Sequence, residues 1–279
     1  MINRSEKVLI LGGDTFGSAI AVYLHKAGFD TVIVLSPEET PLQRPICFSD
    51  VKYVGKKVID GSEAILIDEN ILSISNNKNL REQWLAAIQF HLDDRKIPVF
   101  INENYPEFLD SLNPKVIIRS DITKKMDVPL ESAPLIIGLY PFHHTGEDCH
   151  FVIETRLNFL LGTRFSEDPK NQPAHEPLFF KKAFEDVISP LEGVFISESE
   201  IGEEISFSDT IGTIENIKIK SPYNGQIWGL MHSGRIARKN EKLAQILLGQ
   251  STEGFHHFDF RHKATAGAIL REVLQFVRV

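Results

Sequence analysis

Apolar residues recur along the first part of the chain in short runs separated by helical patterns. Lys7–Leu11 is an apolar run that ends in Gly12-Gly13. From Phe16 to Ala27 the residues Ala19, Ile20, Tyr23 and Leu24 fall on one helical face, and Gly28 supplies the stop. Thr31–Leu35 is β-branched, Ala64–Ile67 is a short strand candidate, and Leu80–Leu92 carries Trp84, Leu85, Ile88 and Leu92 at helical spacing. Ile97–Ile101, Val116–Ile118 and Leu135–Leu139 are further apolar runs, and the β-branched content of Phe151–Thr155 leans towards strand. Strands alternating with helices predict an α/β fold, a doubly wound parallel sheet with helices on both faces. Ser166–Phe180 breaks the pattern: Pro169, Pro173 and Pro177 sit among polar residues, and proline at that density blocks both ladders and helix interiors. The expected division is therefore a Rossmann-like domain over 1–165, a linker over 166–182, a small all-β domain over 183–250, and a closing segment over 251–279. In that last segment Ala266, Ile269, Leu270, Val273, Leu274 and Val277 form an amphipathic helix over Thr265–Val277.

The part after the linker repeats itself. Residues 189–214 align with 221–246 at a constant offset of 32 without gaps, pairing Ser189 with Ser221, Pro190 with Pro222, Gly193 with Gly225, Gly202 with Gly234 and Ile214 with Ile246. Two such units of short β-runs can bury their apolar faces only against each other. Their charges oppose: the first has six acids and no base, whereas the second has Arg235, Arg238, Lys239 and Lys242 against Glu241. The reading is two differently charged solvated faces, with a polarised docking surface as the sharper alternative. This half resembles the biotinyl/lipoyl family, the barrel-sandwich hybrid, whose members carry their cofactor on a lysine at the hairpin joining the halves. Here Glu215 and Asn216 occupy the tip, and Lys218 and Lys220 fall on the incoming strand with no flanking methionine. No biotin or lipoate is expected.

Composition narrows the function classes. A net charge of −8 argues against general nucleic-acid binding, which needs clustered Lys and Arg. Cys47 and Cys149 are the two cysteines, too few for a disulfide framework. No stretch is long and apolar enough to span a membrane, and the charged start does not resemble a signal peptide. A cytoplasmic protein with neither nucleic-acid nor membrane partners is the expectation.

Two loops are candidates for chemistry. Gly12-Gly13-Asp14-Thr15-Phe16-Gly17 lies between strand and helix, where a dinucleotide fingerprint would present bare backbone to a pyrophosphate. Asp14 stands where the second glycine belongs; it would repel a phosphate and cap the helix instead. Ser36 with Arg44 would suit a 2′-phosphate, while Glu38 and Glu39 come late for a ribose partner. The second loop holds His143, His144, Asp148, Cys149 and His150, with Glu154 beyond, and follows the expected parallel strand ending in Gly138-Leu139. These are zinc-type ligands without a zinc-type spacing, and the reading is a polar pocket without metal. His256, His257, Asp259 and His262 are read as an interdomain contact. The candidate cofactor-binding residues are Gly12, Gly13, Asp14, Arg44, Gly138, Asp148, His150 and Glu154; the catalytic residues, the cofactor and whether the chain is an enzyme stay open, with a nucleotide as the candidate ligand.

Read whole, the chain is similar to the accessory proteins of the selenium-dependent molybdenum hydroxylase system. The resemblance lies in Val8–Ala21 around Gly13-Asp14, Leu24–Phe29, Pro41-Leu42 to Gly55 with Arg44 and Phe48-Ser49, Ile97–Val99 and Ala133–Leu139. It continues through Gly146–His150, Val152–Thr155, the Ser-Pro/Gly repeats and the closing helix. It implies a Rossmann-like first half, a cytoplasmic bacterial or archaeal protein, and a role in maturing a molybdenum hydroxylase, whose enzyme or maturation machinery would be the partner; self-association stays open. The chain departs from the pattern at Leu11, where relatives begin Gly-x-Gly-Asp, and at Gly138-Leu139-Tyr140-Pro141-Phe142, where they have Gly-Leu-Gly-Pro-Gly. The alternative is an NAD(P)- or nucleotide-dependent enzyme using loops 12–17 and 138–150. After co-expression with biotin and lipoyl ligases, the intact mass is expected to equal the sequence mass; an adduct on Lys218 or Lys220 would overturn the reading of the hairpin.

Overall fold

The computed structural model describes residues 6–67, 80–101, 109, 112–122, 126–169, 184–249 and 254–277. The chain forms two compact units. Unit 1 comprises Met1–Glu39, Cys47–Leu178 and Asp259–Val279; unit 2 comprises Thr40–Ile46 and Phe179–Phe258. Most of the proline-rich linker, 170–182, lies outside the described residues.

Unit 1 is built on a nine-stranded sheet of order β3-β4-β5-β2-β1-β6-β7-β8-β9. Its strands are β1 (Lys7–Leu11), β2 (Asp30–Leu35), β3 (Lys56–Ile59), β4 (Ser62–Leu66), β5 (Ile97–Ile101), β6 (Val116–Arg119), β7 (Leu135–Tyr140), β8 (Phe151–Glu154) and β9 (Arg164–Phe165). The inner seven run parallel, and β3 and β9 close the edges antiparallel. Helices cover both faces, which is why β1, β2, β6, β7 and β8 are almost continuously apolar rather than alternating. On one side Trp84, Ile88 and Leu92 of α3 (Leu80–Asp93), which follows the short α2 (Val51–Val54) in the chain, join Leu9, Leu11, Val32, Val34 and Ile117 in one cluster. On the other, α1 (Thr15–Lys26) packs along α4 (Phe260–Val277). The latter helix begins five residues before its apolar pattern. Asp259 accounts for the early start: its carboxylate accepts the His262 N–H at 2.9 Å and caps the first turn. No helix among the described residues is long and apolar enough to cross a membrane.

The strand order fixes where a site can form. From β1 the chain moves to β2 on one side and returns to β6 on the other, so loops leaving the carboxyl ends of β1, β2 and β6 converge. Such reversals are where open α/β sheets place ligands. One detail differs from a simple doubly wound order: β5 lies between β2 and β4.

Unit 2 holds two four-stranded antiparallel sheets, β10-β17-β15-β12 and β14-β13-β11-β16. The repeat now has a structural meaning. The first copy is β10 (Phe184–Ile188), β11 (Gly193–Ser197), β12 (Glu204–Ile205) and β13 (Thr210–Ile214). The second is β14 (Ile217–Lys220), β15 (Gly225–Leu230), β16 (Arg235–Ala237) and β17 (Lys242–Leu247). The copies exchange strands: β16 pairs with β11 through Gly193↔Ala237, and β12 pairs with β15 through Ile205↔Gly225. Matching turns repeat the same bonds. The Ser189 and Ser221 hydroxyls donate to the Leu191 and Tyr223 carbonyls at 2.6 and 2.7 Å, and their amides donate to the Glu241 and Asp209 carbonyls at 2.8 Å. Phe195, Ile211, Ile214, Ile227, Leu230, Leu243 and Ile246 fill the space inside. The hairpin tip is Glu215-Asn216, both at positive φ (47° and 68°), the geometry of a two-residue turn that suits the strand twist.

Two equivalent glycines should differ in tolerance. A Cβ at Gly225 would collide with the Leu247 carbonyl, which is fixed backbone, whereas at Gly193 the closest neighbour is the Glu215 side chain at 2.6 Å. Gly225→Ala is therefore expected to cost roughly 1–3 kcal/mol, and Gly193→Ala distinctly less, in chemical denaturation. Equal costs would show that the exchange is not as tightly packed as described.

Candidate functional site

The site is a narrow acidic cleft at the carboxyl ends of β1, β2 and β6, lined by Asp14, Ser36, Glu39, Ser120, Asp121, Ile122 and Met126. Its volume is about 10 Å³, on the scale of one water molecule.

The first loop is held so closely that side chains would not fit. Gly12 has φ +94°, and a Cβ there would lie 2.8 Å from the Ser120 carbonyl oxygen; at Gly17 it would strike the Gly12 carbonyl. Gly13 is tied by its whole peptide. Its carbonyl accepts the Ser18 hydroxyl and the Ser49 N–H, both at 2.9 Å, and its N–H donates to Glu39 Oε1 at 2.8 Å. Asp14 caps α1 by accepting the Gly17 N–H at 2.9 Å. Two of the donors that would hold a pyrophosphate are thus spent on carboxyl groups of the chain itself. Glu39 is fixed in turn by Lys52, whose ammonium donates to the Pro37 and Glu39 carbonyls at 2.7 Å.

Environment sorts the three acids. Burial pushes Glu39 up to about 8, with the Asp14 charge adding to it and the Gly13 bond only partly offsetting it. Burial likewise lifts Asp14 to about 6, against the Gly17 bond and the charges of His262 and Arg261. Asp121 is as buried, but its bonds from His143 and Arg119 outweigh that burial and hold its carboxyl below the usual range. It accepts Arg119 Nη2 at 2.8 Å and the Met126 N–H at 2.6 Å, and His143 Nε2 lies at 3.1 Å. Because His143 Nδ1 accepts the Leu139 N–H, Nε2 carries the proton and donates to Asp121. Burial also raises the Cys47 thiol well above its ordinary value, with Asp14 and Glu39 adding to it, so it is no nucleophile.

The candidate residues are partly gathered and partly dispersed. Gly12, Gly13 and Asp14 form the cleft, and Asp148 approaches the same network, its carbonyl accepting Arg119 Nη1 at 3.3 Å. Gly138 serves packing: a Cβ there would lie 2.6 Å from the His143 Cβ and 2.7 Å from the Cys149 sulfur. Glu154 is buried and committed to Arg156, which donates at 2.7 Å. His150 does not face the first loop. The segment after β7 returns to the amino end of the sheet, where His150 Nδ1 accepts the Ile136 N–H at 2.9 Å. Arg44 belongs to unit 2, where its guanidinium lies 3.5 Å from His232 Nε2. Of the second histidine cluster, His256 and His257 fall in unit 2 and Asp259 and His262 in unit 1. Among the described residues no group of three or more His, Cys, Asp or Glu could hold a metal ion. Lys52, Arg119, Ser120 and Asp121 escaped the sequence reading, which considered Glu39 only as a late ribose partner, although charged residues directly after the buried run Val116–Ile118 were a readable sign of a strand's carboxyl end.

A nucleotide phosphate does not fit this loop, because it would have to displace Glu39 from Gly13 and sit beside Asp14. No family model matches the chain. Among curated proteins it is similar to the uncharacterised protein YqeB of Escherichia coli (strain K12), 23% identical over 275 residues, covering 98% of this chain and 48% of YqeB. The chain thus spans about half the length of that relative. Among solved structures it is matched to a succinylglutamate desuccinylase/aspartoacylase from Rhodobacter sphaeroides, 13% identical over 87% of this chain and 85% of the other, at a TM-score of 0.25. So low a score carries no argument about fold or chemistry.

The raised carboxyls set a pH dependence. An unfolded Glu39 loses its proton in the ordinary range, whereas the folded one keeps it up to about 8. Its contribution to stability is therefore complete below the ordinary value and is lost as pH rises through about 8; Asp14 acts with the same sign through about 6. Glu39→Gln keeps an acceptor for Gly13 and cannot ionise. Denaturation midpoints followed against pH are expected to fall less steeply for Glu39→Gln than for the wild type, with the variant the more stable above pH 8.

Proposed function

We propose that the chain is an accessory or maturation factor for a selenium-dependent molybdenum hydroxylase, acting by binding a ligand or partner and without a modified lysine. The pathway is supported by the order and spacing of the resembling segments, which run through both units. The mode of action is supported by one observation above the others: the Gly13 N–H is bonded to Glu39. A helix-leading loop that gives two of its donors to its own carboxyls favours a small neutral or cationic ligand group over a phosphate. The reversal of strand order at β1 supports a Rossmann-like reading of unit 1, with β5 inserted, and the strand exchange in unit 2 supports a lipoyl-like barrel-sandwich hybrid.

The test is genetic and enzymatic. In a host that makes such a hydroxylase, deletion of this gene should leave the hydroxylase protein present and its activity lost, and restoring the full chain should return it. Unchanged hydroxylase activity on deletion would refute the reading. Calorimetric titration with NAD, NADP and ATP is expected to show no binding to the purified wild type. Micromolar binding of any of them, lost in Asp14→Gly, would make Asp14 a ligand contact and favour the enzyme reading.

A further inference from the structure

A second cavity lies at the opposite end of the parallel strands from the acidic cleft. It measures about 420 Å³, within the size range of small-molecule sites, and opens between the amino ends of β7 and β8 and the last turns of α4. Leu135, Phe151 and Phe276 are among its apolar lining, with His150, Arg164 and Glu272 as polar lining.

The polar groups are arranged unevenly. Glu272 is buried and neutralised from two sides: Arg164 Nη1 donates to one carboxylate oxygen at 3.0 Å, and Arg271 donates to the other at 2.8 and 3.0 Å. Two guanidiniums against one carboxylate leave a surplus positive charge. The Arg164 guanidinium lies over the Phe151 ring at 3.9 Å and gives its Nε–H to Ser166, while Nη2 has no partner among the described residues. His150 accepts the Ile136 N–H through Nδ1, so its proton resides on Nε2, which has no partner among the described residues either. Unspent N–H donors, surplus positive charge and an aromatic lining in one cavity describe a receptor for an anion with a flat apolar body.

We propose that this cavity binds a small organic carboxylate carrying a planar apolar group, its carboxylate taken by Arg164 and His150 and its ring laid on Leu135 and Phe276. The inference is independent of the maturation reading. It also gives His150 a role away from the first loop.

Benzoate is the probe, with benzamide as its neutral counterpart and acetate as the anion without a ring, titrated by ligand-observed NMR against the full chain. Benzoate is expected to bind saturably, in the millimolar range, and at least about tenfold more tightly than either control. Arg164→Gln should weaken benzoate about tenfold and leave benzamide unchanged. Should loss of the Glu272 partner unfold that variant, Gln275→Glu supplies a second test: the residue is exposed on α4 at the cavity wall, and the new charge should weaken benzoate similarly. No saturable benzoate binding, equal binding of benzoate and benzamide, or no loss in a folded Arg164→Gln or Gln275→Glu would overturn the proposal.

Discussion

Backbone N–H groups at the head of a helix are strong, oriented donors, and what they bond to decides what a strand–loop–helix junction can receive. In this protein Gly13 gives its N–H to Glu39, 26 residues further along the chain. Much of unit 1 is organised around that bond. Gly12 and Gly17 lack side chains so that the loop can lie against Ser120, Ser18 and Ser49 hold the Gly13 carbonyl, and Lys52 clamps the backbone that delivers Glu39. The arrangement keeps the form of a phosphate cradle while filling it from within.

The same cleft shows how one fold gives three carboxyls different chemistry. Glu39 and Asp14 are desolvated with few compensating donors, and both hold their protons towards neutral pH. Asp121 is desolvated too, but Arg119, His143 and the Met126 N–H surround it, and it stays ionised. A fixed anion beside two protonatable acids is a setting for hydrogen-bonding a neutral or cationic group. It is a poor setting for a second anion.

The seven parallel strands of unit 1 were legible because buried parallel strands are continuous apolar runs, whereas the antiparallel edges β3 and β9, short and partly exposed, were not; the repeat in unit 2 was legible because strand exchange demands equivalent residues at equivalent turns. Asp14 as a helix cap was also legible, since Asp before a helical pattern has few other uses. Glu39 was not. A loop glutamate carries no signal that it will turn inwards, and that depends on Lys52, held by a four-residue helix that periodicity cannot detect. His150 misled for a related reason. Its neighbour His143 does stay at the carboxyl end beside Asp121, but the connection from β7 to β8 contains no helix, and it runs the length of the sheet between the two histidines.

The central claim is that the Glu39 carboxyl, and not an external phosphate, is the partner of the Gly13 amide. The amide's own resonance reports this most directly. In a pH titration of ¹⁵N-labelled protein, the Gly13 N–H shift should follow a proton whose midpoint lies near 8, and Glu39→Gln should abolish that transition. A Gly13 resonance that ignores pH, or that titrates in the ordinary carboxylate range, would contradict the account.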